Sequence, residues 1–214
     1  MYRQLDKEDL VRMGIPLRFW NSTVEKIPDD DVGSLSTKTA IINYMKNLEK
    51  MREAGVGLIL WGDYGVGKTS ASVVVAKEFR RCGHTVLFLD AASLKRHVIG
   101  REQFDEDESY FDRIHSVDLL IINDFGKGIN DTKGYGAALF DEIMRDRSSK
   151  KKITFISSNL QPERWANAYE DDGLGLKKAT MDILRECMIP VRVQGDSQRG
   201  EGLEKVKDLL FSSC

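Results

Sequence analysis

Cysteine is almost missing from this chain. Its three thiols, Cys82, Cys187 and Cys214, stand apart with no CxxC spacing, which excludes a disulfide framework or a thiolate zinc site and fits a reducing cytoplasm. Histidine is as sparse, and His84 and His115 have no partners at metal-ligand spacing, so both read as structural. No apolar run exceeds the length of a strand, so no membrane-spanning helix is expected. The first residues, MYRQLDKEDLVRM, are charged where a secretory leader would be apolar. An excess of either charge is also lacking: 32 Lys and Arg against 34 Asp and Glu leave a formal net charge of −2. No global basic field therefore advertises nucleic acid, although a few basic loops repeated around an assembly would suffice for phosphate contacts. Internal repeats and low-complexity linkers are absent. These exclusions point to a soluble cytoplasmic protein with no membrane partner.

What is present suits one domain with a short extension: 214 residues, 41% hydrophobic and 31% charged. Residues 1–36 contain GIPLRFWNST and IPDDDVGS and read as an extended N-terminal arm. Ser36 or Thr37 is positioned to cap a helix reaching about residue 53, with Ile41, Tyr44, Met45 and Leu48 on one face. Buried strands are predicted at 56–61 (VGLILW), 85–89 (TVLFL, closed by Asp90), 117–122 (VDLLII) and 153–156 (ITFI). Helices are predicted at 68–81, 91–99, 135–147, 162–169, 177–187 and 203–211, with an acidic loop at 101–108 and an extended piece at 190–193. Continuous apolar strands alternating with amphipathic helices require a parallel sheet covered on both faces. The fold class is three-layer α/β, with residues 37–214 as its core domain.

Gly62-Asp63-Tyr64-Gly65-Val66-Gly67-Lys68-Thr69 satisfies G-x-x-x-x-G-K-[ST] in full, with Ser70 following in the helix. Its glycines let backbone N–H groups turn inward around phosphate oxygens. Lys68 then places a point charge on the β and γ phosphates of ATP, the Thr69 hydroxyl is positioned for Mg²⁺, and the following helix adds its positive end. The competing reading is a glycine turn before a surface lysine. A chance match in a chain of this size arises roughly once in a hundred at average glycine usage, and this one lies between a buried strand and a helix, as phosphate binding demands.

Such a loop needs a carboxylate at a neighbouring strand tip to hold the Mg²⁺. Here the strand ends Ile121-Ile122-Asn123-Asp124. Aligning the apolar run puts Asn123 at the metal-associated place and Asp124 after it; alternatively Asp124 takes the metal role and Phe125 follows. An uncharged Asn123 weakens the association with Mg²⁺, so slow hydrolysis is expected, and Asn123→Asp is expected to raise it. The next strand is followed by Ser157-Ser158-Asn159, a polar cluster within reach of a γ-phosphate or attacking water.

Taken together, GIPLRFWNST, GDYGVGKTSAS, VDLLIINDFG, ITFISSNL and ATMDILRECMIPVRVQGDSQR resemble the DnaC/IstB family of AAA+ proteins, over about residues 14–199. That family includes helicase loaders and transposition ATPases. The resemblance implies a P-loop AAA+ ATPase core, with Asp124 as the acid that polarises the attacking water and Asn159 as the sensor of the γ-phosphate. It places Ile15, Pro16 and Phe19 near the adenine, unless they merely pin the arm to the core. It implies an arginine reaching a neighbouring subunit's nucleotide and hence a homo-oligomer joined through ATP sites. Asp182 is followed by Ile183 where the family pairs an acid with arginine, so Arg185 is the candidate finger, against a solvated helix arginine; Arg199 matches a second family arginine near the nucleotide.

The partner implied is a DnaB-type replicative helicase, loaded on single-stranded DNA. The arm is too short for the separate helicase-binding domain usual in such loaders, leaving residues 1–13, with Leu5, Leu10, Val11 and Met13, as a candidate docking helix. The alternatives are an IstB-like transposition helper assembling on duplex DNA and a nucleotide-gated adaptor with little hydrolysis. For DNA contacts, Lys95, Arg96, His97 and Arg101 are candidates, as is the run Lys150, Lys151 and Lys152 beside Arg145 and Arg147, unless that run is a solvated loop.

Overall fold

A computed structural model of the chain describes residues 3–28, 36–94, 107–126, 135–166 and 176–197. Three helices, α1 (Lys7–Arg12), α2 (Thr37–Lys46) and α3 (Leu48–Ala54), precede the first strand, β1 (Gly57–Trp61). Then follow α4 (Lys68–Arg81), β2 (Val86–Asp90), α5 (Asp107–Ser116), β3 (Leu119–Phe125), α6 (Tyr135–Ser149), β4 (Ile153–Ser158), α7 (Lys178–Cys187) and β5 (Met188–Arg192). The strands form one sheet in the order β2-β3-β4-β1-β5, and every neighbouring pair is parallel. Among the described residues, no helix is long and apolar enough to cross a membrane.

Side chains alternate faces along each strand, and here both faces are covered. Leu58, Leu60, Phe88, Ile121 and Phe155 pack with Ile41, Val73 and Phe79 of α2 and α4. Ile59, Leu87, Leu89, Leu120, Ile122 and Ile156 pack on the opposite side with Ile114, Phe140, Ile143 and Leu184 of α5, α6 and α7. Two cores separated by a sheet explain why the strands read as continuous apolar runs.

Several boundaries differ from expectation for physical reasons. The helix expected from Ser36 to about residue 53 is two helices parted at Asn47, which leaves helical angles at φ −109° and ψ 22° while its N–H and Nδ2 both donate to the Asn43 carbonyl, at 3.1 and 2.9 Å. Ser36 is the cap, its Oγ accepting from the Thr39 N–H at 3.2 Å. Strand β5 starts at Met188, directly out of α7, and Pro190 is tolerated because β5 is an edge. Pro162–Ala166 is a 3-10 turn. The helix predicted at 203–211, most of the loop at 101–108 and the basic group Lys95, Arg96, His97 and Arg101 lie outside the described residues.

The N-terminal arm packs inward. Met13, Ile15 and Ile27 belong to the core shared with α4, and Met13 is 2% exposed. The Met13 carbonyl accepts from the Phe88 N–H at 2.7 Å, so the arm covers the otherwise open edge of β2. Asp9, buried on α1, pairs with Arg80 of α4 and with Arg3, each at 2.9 Å. Burial opposes its charge, but the hydrogen bond from Arg80 and its other partners outweigh that and hold the carboxyl below its ordinary range. Met13 is therefore part of this chain's own core rather than an anchor for a partner, and Leu10 packs against the same core. Val11 stays on the surface, 63% exposed.

Three cations of the basic group before β4 are held in ion pairs within this chain. Arg145 pairs with Asp141, Lys150 with Asp146 and Lys152 with Asp118. Arg147 is fully buried. Its guanidinium donates to the carbonyls of Ile114 at 2.8 Å, Val117 at 3.0 Å and Ile153, and to the Thr154 hydroxyl at 3.0 Å. It thus ties the end of α5 and the start of β4 to α6. Arg147→Leu strands these acceptors; at about 1–3 kcal/mol per unsatisfied buried group, we expect a loss of at least about 3 kcal/mol of stability by urea denaturation. An unchanged midpoint would show that the three elements hold without it.

Candidate functional site

Parallel strands deliver their C-terminal ends to one edge, where open α/β sheets bind ligands. At that edge β1 passes into Gly62, at φ 149°, where a Cβ would lie 2.1 Å from the Val193 carbonyl oxygen. The loop closes at Gly67, at φ 94°, which caps α4 with no side-chain bond. The first backbone N–H groups of this 14-residue helix are thereby left for an anion.

Lys68 is buried at the start of α4, its Nζ donating to the carbonyl oxygens of Gly62, at 2.8 Å, and Asp63. The next residue, Thr69, donates its hydroxyl to Asn123 Oδ1 at 2.8 Å. A cleft of about 260 Å³ opens between loop and strand tips, lined by Arg18, Phe19, Gly65, Gly67, Lys68, Thr69, Ser70, Asp124 and Asn159. A second cleft runs along the other side of the loop past Gly62, Asp63, Arg164 and Arg192, and Asn159 borders both. Tyr64 is exposed, whereas Val66 points into the core. Only the backbone of Val66 is on offer to a ligand.

Asp124 has φ 54°, where the pairing of β3 with β4 slips between Ile122 and Phe125. This bulge re-aims the carboxylate into the cleft, at a backbone angle that aspartate tolerates better than most residues. The Asp124 N–H donates to Ser157 Oγ at 3.2 Å, and Ser158 Oγ donates to the Phe125 carbonyl at 2.8 Å, so the tip of β4 holds the bulge. Phe125 is buried against the rings of Phe140 and Trp165, at 4.4 and 4.8 Å. The alignment that brings Phe125 to the reacting centre therefore has no geometric basis: Asn123 meets Thr69, and Asp124 stands beyond it.

Of the arm residues expected near a base, Phe19 reaches the cleft, while Ile15 is buried in the core and Pro16 does not line the cleft. Arg185 lies on the surface of α7, 70% exposed, paired with Asp182 at 2.8 Å, and takes no part in this chain's own cleft. Arg199 lies outside the described residues. Two neighbours were not expected from the sequence, Arg18, stacked 4.7 Å over the Phe19 ring, and Asp90, accepting from Asn123 Nδ2 at 2.8 Å, while Ser157 of the expected polar cluster donates to Asn123 Oδ1 at 2.7 Å. The acidic close of residues 85–89 was the available signal for Asp90, but its pairing with Asn123 depends on strand order.

The oxygens of Thr69 and Asn123 suit a hard cation such as Mg²⁺, which takes one or two protein ligands and completes its shell with phosphate and water. Among the described residues, no cluster of three or more His, Cys, Asp or Glu offers an all-protein cage instead.

A family model described as IstB-like ATP binding protein matches residues 29–205. The chain belongs to this family. Among curated proteins, it is 21% identical over 183 residues to the replicative helicase loader DnaI of Bacillus subtilis (strain 168), a match covering 83% of this chain and 58% of that protein. The chain thus spans little more than half the length of this relative. Among solved structures, it is similar to the DnaC helicase loader, with a TM-score of 0.68, 20% identity and coverage of 84% of this chain and 100% of that one. AMPPCP-bound DnaA from Aquifex aeolicus matches with a TM-score of 0.65 and 18% identity, over 90% of this chain and 56% of that one. These likenesses establish the fold, a P-loop AAA+ core with an all-parallel five-stranded sheet.

Removing the buried ammonium should cost a charge-assisted contact to phosphate. For Lys68→Ala we expect ATP affinity to fall by about 10- to 100-fold, read by competition against a fluorescent nucleotide. Unchanged affinity would place the nucleotide elsewhere.

Proposed function

We propose that the chain is an ATP-controlled helicase loader, acting on a DnaB-type replicative helicase and single-stranded DNA, with residues 37–214 as the ATPase domain and residues 1–36 as its arm. The observation that carries this reading is the similarity to the helicase loader DnaI across 83% of the chain. The cleft beneath the phosphate loop supports it by supplying a place for ATP, with Phe19 and Arg18 of the arm on one wall.

In this reading the loop amides and Lys68 hold the β and γ phosphates. Thr69 and Asn123 would hold Mg²⁺, which would supply charge neutralisation for the β and γ phosphates. Asp124, aimed into the cleft by the bulge, accepts a proton from the attacking water, and Asn159 orients the γ-phosphate or that water. Arg185, exposed on α7 and outside this chain's own cleft, is the candidate to reach a neighbouring copy's nucleotide, which would couple hydrolysis to homo-oligomer assembly. Arg199 is assigned near the nucleotide. Slow hydrolysis is expected in this reading, because the residue bonded to Thr69 is the neutral amide of Asn123 rather than a carboxylate.

Asp124→Asn keeps size and polarity but loses the base. We expect ATP affinity to hold within about twofold while turnover falls about 100-fold, in a phosphate-release assay beside a binding titration; equal turnover removes Asp124 from the chemistry. The loader assignment is tested by affinity capture from the cells of origin in ATP and Mg²⁺, read by mass spectrometry. A replicative helicase is expected, and its capture should fail with the Lys68→Ala variant. Recovery of a transposase instead would move the same core to the transposition class.

A further inference from the structure

Asn123 is 1% exposed and still makes three hydrogen bonds through its amide. Its Oδ1 accepts from the hydroxyls of Thr69, at 2.8 Å, and Ser157, at 2.7 Å. Its Nδ2 donates to Asp90 Oδ1 at 2.8 Å. Asp90 is the last residue of β2, and the ladder between β2 and β3 sets it directly opposite Asn123. The tip of the adjacent strand thus carries a carboxylate opposite the position where β3 has the neutral amide of Asn123.

This arrangement has two consequences. A carboxylate oxygen accepts hydrogen bonds, so Asp90 draws the NH₂ end of Asn123 to itself and leaves the carbonyl end for Thr69. Reversed, the amide would turn N–H groups towards the side where Thr69 and a phosphate-bound cation meet, and would repel that cation. The negative charge of Asp90 also polarises the amide through this half-buried hydrogen bond, adding electron density to Oδ1. We propose that Asp90 is a positioning residue for the metal-associated edge of the site: Asp90 and Asn123 together do the work of one aspartate, with the charge moved one strand over and relayed to Thr69 through the amide. The proposal rests on the reading of this cleft as a Mg²⁺–nucleotide site.

It also revises the expectation for Asn123→Asp. With Asp90 in place, that substitution sets two carboxylates against each other where a donor now joins them, so alone it should not improve the site. The exchange Asp90→Asn with Asn123→Asp restores one carboxylate and one amide, with the hydrogen bond reversed.

The test is the affinity of the full-length chain for a fluorescent ADP analogue in EDTA and in Mg²⁺, for wild type, Asp90→Asn, Asn123→Asp and the double exchange, with a melting curve for each. Each variant's gain on adding Mg²⁺ is taken relative to its own affinity in EDTA. The gain in affinity on adding Mg²⁺ should fall about tenfold in Asp90→Asn, should not improve in Asn123→Asp, and should return in the double exchange. A full Mg²⁺ gain in Asp90→Asn overturns the proposal, as does a loss that the double exchange does not repair. If Asp90→Asn melts below the assay temperature, the double exchange decides: a wild-type gain supports the relay and a lost gain overturns it. Failure of wild type to bind in either buffer overturns the nucleotide reading itself, and the proposal with it.

Discussion

A parallel sheet sends every strand's C-terminal end to the same edge, and the candidate site is a consequence of that constraint. Trp61, Asp90, Asn123 and Ser158 end or nearly end four neighbouring strands. Because parallel neighbours need long crossovers, each strand also arrives with a helix that covers one face, leaving the edge open to ligand. The glycine loop, the acidic bulge and the polar end of β4 are then brought within hydrogen-bonding reach, although they lie at about positions 62, 124 and 158 of the chain. The buried apolar ladders supply the rigidity. The bond between Thr69 and Asn123 joins the phosphate loop to the sheet centre.

Much of this was legible in the sequence because the signals were local. The loop Gly62 to Thr69 is a contiguous pattern, and the helix expected at 68–81 is observed as Lys68–Arg81. The strands were legible as apolar runs because both faces of the sheet are buried. Other features were hidden because they depend on distant partners. Asn47 parts two helices by a local change of backbone angle, which periodicity does not register. Arg147 reads as one more cation in a basic stretch, yet it is buried on three carbonyls supplied by α5, β4 and the turn between α5 and β3. Asp90 reads as a strand terminator until β2 is known to neighbour β3.

The arm shows the same division. GIPLRFWNST announces itself as unusual, but not which residues face where. Met13 and Ile15 enter the core and the Met13 carbonyl covers the edge of β2, whereas Arg18 and Phe19 turn to the cleft. One short segment thus seals the sheet and lines the cleft.

The central claim is that one nucleotide binds each chain in the cleft beneath the phosphate loop. Isothermal titration of the unaltered protein with a non-hydrolysable ATP analogue in Mg²⁺ tests it most directly. The account predicts saturable binding at one site per chain, displaced by ATP and ADP. An absence of heat and of displacement up to millimolar analogue would contradict it.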